Sequence, residues 1–115
     1  MERSEFIAAL ESQFPDAFAQ IDQRESGLLH CEVGAFRRFV EEKMDNDAAW
    51  YCEKAFRFIE QCLEEAGPAL KNAIEVSFIY DLAIGAQSTQ RHKIVKERAP
   101  KFIKDKMAHA NVFWK

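Results

Sequence analysis

The residues able to do chemistry in this chain are few and scattered. They are His30, His92 and His109, Cys31, Cys52 and Cys62, and the carboxylates Glu75 and Asp81 set inside an apolar run. A metal site needs two such side chains, or one with a carboxylate, at ligand spacing. The closest pair is His30-Cys31, and adjacent residues on a helix point about 100° apart, so they do not chelate one ion. His30 reads instead as a buried or capping residue at a helix start. Glu75 and Asp81 are embedded carboxylates of the kind that do acid–base work when burial raises their pKa. Their spacing of six, however, turns about 600° along a helix and sets them on opposite sides. Asp81, with Ser77 one turn before it, is expected to cross-link helices by hydrogen bonds. No P-loop, G-x-G-x-x-G, H-E-x-x-H or G-x-S-x-G motif is present. The sequence therefore points away from an enzyme, and no cofactor or metal site is expected.

The aromatic residues give a binding reading. Trp50-Tyr51 lies at the start of one long helical pattern and Tyr80-Asp81 late in the next. Antiparallel packing would gather Trp50, Tyr51, Tyr80 and Asp81 at one end of a hairpin, as a candidate partner-binding cluster or, equally, as the closure of the core at that end. Charge is unevenly spread. Residues 1–90 hold 8 Lys/Arg against 17 Asp/Glu, a net of −9, and residues 91–115 hold 8 against 2, a net of +6. The basic segment 91–106 has Ile and Phe between its charges rather than a stripe of stacking aromatics. It is expected to pack beside acidic helices, with nucleic-acid association as the alternative.

These residues are positioned by helices. The chain has 115 residues, 48% apolar and 30% charged, with ten Phe and only four Gly and three Pro, the balance of one globular helical domain. The Cys count is odd and without a C-x-x-C pair, so all three are expected as buried free thiols. The charged start, Met1-Glu2-Arg3-Ser4-Glu5, carries no apolar leader. No run approaches the ~18 apolar residues of a membrane span, so a cytoplasmic location without membrane contact is expected.

Ser4 is placed to cap a helix reaching about Gln13, which Pro15 stops. Asp16 is placed to cap a short second piece through Gln23. Leu28 to Met44 carries Leu29, Val33, Phe36, Phe39, Val40 and Met44 at helical spacing. Gly34 within it implies either a close helix approach or a later start. After Asp45-Asn46-Asp47, whose short side chains suit capping, Asp47 to Ala66 forms one amphipathic helix. Gly67-Pro68 breaks it, Gly by accepting left-handed angles and Pro by opening the next helix. Ala69 to Ile84 is apolar nearly all round and so packs on more than one side. Val76 to Tyr80 is also β-prone, but the length of the run favours helix. Gly85 closes that helix, and Ser88 or Thr89 caps another to about Arg98. Pro100 opens a last helix with Phe102, Ile103, Met107 and Ala110, and Phe113-Trp114 are expected to dock at the end. The fold expected is all-α, with antiparallel hairpins stacked as a short HEAT/ARM-like superhelix; a closed helical bundle is the alternative.

The order Phe14-Pro15, Gly27-Leu28-Leu29-His30, Phe36-Arg37-Arg38-Phe39-Val40, Ala55 to Glu64 and Ala73-Ile74-Glu75-Val76-Ser77-Phe78 resembles a family of small all-helical bacterial proteins. Members often look like immunity proteins, the cytosolic partners that neutralise toxins. The resemblance covers about residues 10–85 and supplies no catalytic residues. It implies a helical, HEAT-like fold and a protein-binding role, with a basic toxin as the kind of partner that the acidic body suits.

Overall fold

Helix boundaries follow the breakers more closely than the caps. The computed structural model describes residues 1–86 and 89–110. Helix α1 spans Arg3–Gln13 and starts from Glu2, not Ser4: the Glu2 N–H donates to Glu5 Oε1 at 3.0 Å, an acidic cap that also suits the helix dipole. Pro15 ends α1 as expected and becomes the first residue of α2, Pro15–Phe18. Phe14 occupies the N-cap position foreseen for Asp16, because Pro at N1 places the cap one residue before itself.

Helix α3, Leu29–Asp45, runs straight through Gly34. Neither reason expected for that glycine holds, since a Cβ there would meet only the Arg38 guanidinium, at 3.5 Å. Helix α4, Ala49–Glu65, follows the Asp45-Asn46-Asp47 break. Asp47 does not cap it. Asp47 sits in the left-handed region at φ 57°, which a short polar side chain tolerates, and Ala48 is the N-cap. The apolar stripe of α4 is buried through Cys52, Ala55, Phe56, Ile59, Cys62 and Leu63.

The Gly67-Pro68 junction does separate two helices, for a different reason than left-handed backbone. Gly67 is extended, φ −71° and ψ 174°. Its N–H donates to the Met1 carbonyl at 2.9 Å, and a Cβ would stand 2.6 Å from Glu2 Oε1. The junction is where the start of the chain is pinned, and glycine leaves room for it. One continuous helical rod then follows: α5 (Pro68–Ile74), a π-helical segment (Glu75–Tyr80) and α6 (Asp81–Gly85). The β-prone stretch is thus helical, as the run length favoured. Helices α7 (Thr89–Arg98) and α8 (Lys101–Ala110) complete the described fold, separated at Ala99-Pro100. Of the two expected caps, Thr89 lies within α7 and Ser88 lies outside the described residues, as does the expected docking of Phe113-Trp114.

Helix α3 is the centre. It packs against α2, α4, the whole α5–π–α6 rod and α7. Phenylalanines lock these elements: Phe36 of α3 lies 5.1 Å from Phe14, 5.8 Å from Phe58 of α4 and 5.7 Å from Phe78 of the π segment, centroid to centroid. Such pairs add to an already large burial term. The all-α expectation holds.

Candidate functional site: an apolar groove beside the π segment

The α5–π–α6 rod is too apolar for its neighbours to cover. Its inward face is buried through Leu70, Ala73, Ile74, Phe78, Ile79, Leu82 and Ala83. A second stripe at i, i+4, i+8 remains: Val76, Tyr80 and Ile84 are 45%, 44% and 47% exposed. Helix α8 runs alongside. Its Ile103 and Met107 turn inward, while Phe102 is 45% exposed. The reason is angular. Ile103 and Met107 share one face at i, i+4, and Phe102 lies about 100° away from it. Phe102, Asp105, Lys106 and His109 therefore form the other wall of a groove that opens over Val76, Ile79 and Tyr80. Its volume is about 630 Å³, within the range of natural small-molecule sites. Among the described residues, four of the six exposed large apolar side chains stand on this face.

The polar rim is paired within itself. Lys106 Nζ lies 3.7 Å and Lys71 Nζ 4.0 Å from Glu75 Oε1, close enough for attraction and too long for a hydrogen bond. That oxygen is buried without a hydrogen-bond donor. Lys106 also stands 5.1 Å over the Phe102 ring, and Lys101 pairs with Asp105 at 2.9 Å. Asn72 and His109 mark one end of the groove and Tyr80 lies toward the other.

The four residues expected to gather at one hairpin end do not meet. Tyr51 stacks edge-on with Trp50 at 5.7 Å and Phe14 at 5.6 Å, and tilts on Phe39 of α3 at 5.8 Å. Asp81 instead accepts from Arg37 of α3 at 2.8 Å. Arg37 and Phe39 are two residues apart, so they point about 200° from each other and α3 stands between the two groups. Tyr80 belongs to the groove. Trp50, 72% exposed, belongs to a separate aromatic corner. Burial, with the Asp16 charge nearby, pushes the Tyr51 hydroxyl up to about 12, so it stays protonated at neutral pH.

Ser77 and Asp81 do cross-link helices. Arg37 Nη1 donates to the Ser77 carbonyl at 3.1 Å and to Asp81, and Ser77 Oγ lies 2.9 Å from His30 Nδ1. Asn72 Nδ2 lies 3.4 Å from His30 Nε2. His30 is exposed rather than buried and serves as a strut from α3 to the rod. A serine beside a histidine has the first contact of a nucleophile and base. Here the serine is buried mid-helix against α3 and does not line the groove. Cys52 and Cys62 are buried, and burial raises their thiols to about 11 and about 12. Cys31, expected to be buried, is exposed, because it sits on the outward side of the first turn of α3. Among the described residues no three His, Cys, Asp or Glu side chains are placed to hold a metal, and no helix is long and apolar enough to cross a membrane.

Much of the basic segment is engaged internally. Arg91 grips both Asp45 oxygens at 2.7 Å and reaches Glu41 at 3.2 Å, Arg98 reaches Glu53 at 3.4 Å, and Lys106 attends Glu75. Arg91 holds the Asp45 carboxyl below its ordinary range by hydrogen bonding. The signals for the groove that sequence reasoning passed over were the i, i+4 repeat of Val76, Tyr80 and Ile84 and the off-face position of Phe102.

Among the described residues, helices packed about one central helix, with an apolar groove whose rim charges are paired, define a small all-α domain. The chain belongs to the family described as Domain of unknown function (DUF7674), which matches residues 7–115. Comparison with curated proteins and with solved structures found no match.

Proposed function

We propose that this chain is a non-enzymatic protein-binding module that receives its partner on the groove between the π segment and α8. The observation that carries this reading is the uncovered line of Val76, Tyr80, Ile84 and Phe102. Four adjoining half-exposed apolar side chains are a cost to a monomer in water, and a polar-rimmed patch of this kind marks a contact site. π segments also recur where helices have been shaped for function. The sharper form of the reading is a cytoplasmic, immunity-type inhibitor of a bacterial toxin. It draws on the resemblance of residues 10–85 and on the net charge of −9 over residues 1–90, which would steer a basic partner toward the body. The pairing of Arg91, Arg98 and Lys106 with carboxylates of the same chain favours a protein over a nucleic acid.

Co-expression with the product of the adjacent gene tests the reading. The two proteins should co-purify, and the chain should rescue cells from that product if it is toxic. Phe102→Asp should abolish both effects while leaving the helical spectrum unchanged. Co-purification and rescue unaffected by Phe102→Asp would remove the groove from the account.

A further inference from the structure

We infer that the occupant of the groove is an amphipathic α-helix of about three turns from a partner protein, lying with its C-terminal end at Lys106 and His109. The inference rests on the protein-binding reading and specifies its geometry. The exposed line on the rod runs from Asn72 to Ile84, twelve residue steps and about 18 Å, the length of a three-turn helix. Its apolar members recur at i, i+4, i+8 on one wall, and Phe102 faces them from the other. A third helix seated between two neighbouring helices meets both through its own i, i+3/i+4, i+7 stripe. A flat strand would have to satisfy its backbone hydrogen bonds, and both walls are helices whose backbone groups bond along their own axes.

Charge sets the direction. The Asn72 end carries Lys71, Lys106 and His109 with Glu75 between the lysines. Two full positive charges face one negative charge there. At the other end Tyr80 and Ile84 are apolar, and Lys101 is already paired to Asp105. A helix ends in free carbonyls that carry partial negative charge, and a carboxylate in its last turn adds to it. Its C-terminal end therefore belongs beside Lys106 and His109.

The test is a backbone-amide NMR titration of the full chain with two synthetic peptides of about 14 residues, long enough for the three turns. Both are amphipathic helices with one leucine stripe. One ends in Glu with a free carboxylate and the other in Lys with an amide. The expected result is shifts of Val76, Tyr80, Phe102 and Lys106, with the acidic-ended peptide binding about fivefold tighter, the worth of a charge at a helix end. Phe102→Asp, at an exposed position that leaves the spectrum dispersed, should erase the shifts. Equal affinity for the two peptides overturns the orientation. Shifts at Trp50 and Tyr51 with the groove unmoved overturn the inference and leave the binding-module reading standing. Absence of any shift at about 1 mM peptide, or groove signals that move with protein concentration alone and so make a second copy the occupant, overturns it as well.

Discussion

Arg91→Ala is the substitution that best tests whether the basic segment belongs to the domain. Arg91 is three-quarters buried and makes two parallel bonds to Asp45, a third to Glu41 and a longer one to the Gly85 carbonyl. Charge-assisted bonds contribute about 1.5–3 kcal/mol where water is excluded and about 0–1 kcal/mol at the surface. Asp45 is half exposed and is rehydrated once the guanidinium is gone. Glu41 is buried but keeps Arg37 Nε at 3.3 Å. No charge is orphaned, so the loss falls between the two limits, at about 1.5 kcal/mol. For a domain of this size that lowers the melting temperature by roughly 6 °C. The comparison is Arg57→Ala, which removes an exposed i, i+4 pair with Glu53 and should leave the melting temperature unchanged within error. The pH dependence has a definite sign. Asp45 is held below its ordinary value of 3.8 by Arg91, so its contribution is present above that value and is lost as pH falls through the folded value. The penalty of Arg91→Ala should shrink over the same interval. Urea or thermal unfolding of the three proteins at neutral and acid pH measures this. A shift under about 2 °C for Arg91→Ala, or one equal to that of Arg57→Ala, would refute the claim that α7 is tied to the acidic body by this cluster.

Other outcomes follow from single positions. Gly34→Ala should stabilise the chain by about 0.5–1 kcal/mol, read as a higher urea midpoint at unchanged slope, because the helix is regular there and the new methyl has room. Phe36→Ala should cost about 3–5 kcal/mol in the same assay, since Phe36 is fully buried and joins the rings of α3, α4 and the π segment. A maleimide reagent should modify Cys31 in the native protein and reach Cys52 and Cys62 only after unfolding, because burial both hides those thiols and raises their pKa.

The sequence made the helices legible wherever an apolar period met a strong breaker. Pro15, Gly67-Pro68 and Pro100 fall at real boundaries, and the buried stripe of α4 is the one its spacing implies. Caps were less legible. Ser4, Asp16 and Asp47 are all good capping types, yet Glu2, Phe14 and Ala48 hold those positions. Local propensity there is worth about 1 kcal/mol, and the set of the neighbouring helices outweighs it. Gly67 shows the same limit: its absent side chain makes way for Glu2, sixty-five positions earlier, which no local pattern encodes. The Ser77–Asp81 cross-link could be foreseen because both residues share a helix face. The groove was only half legible: the i, i+4 repeat of Val76, Tyr80 and Ile84 marks a second apolar stripe on the rod, but not which of the two stripes is covered. That is decided by where α8 lands and how it is rotated, and the choice leaves Phe102 outside and Ile103 inside. The hypothesised aromatic cluster failed for a related reason: α3 passes between Tyr51 and Asp81 and separates what a lone hairpin would have joined.

The central claim is that the groove is where this protein meets another. The most direct measurement places a photo-crosslinking phenylalanine analogue at position 102, at position 50 and at position 57 in living cells. Position 102 lies in the groove, position 50 in the separate aromatic corner and position 57 on an exposed charged face of α4. The account predicts one discrete heterologous adduct from position 102 and none from position 57. Adducts from position 50 alone, or none from position 102, would contradict it.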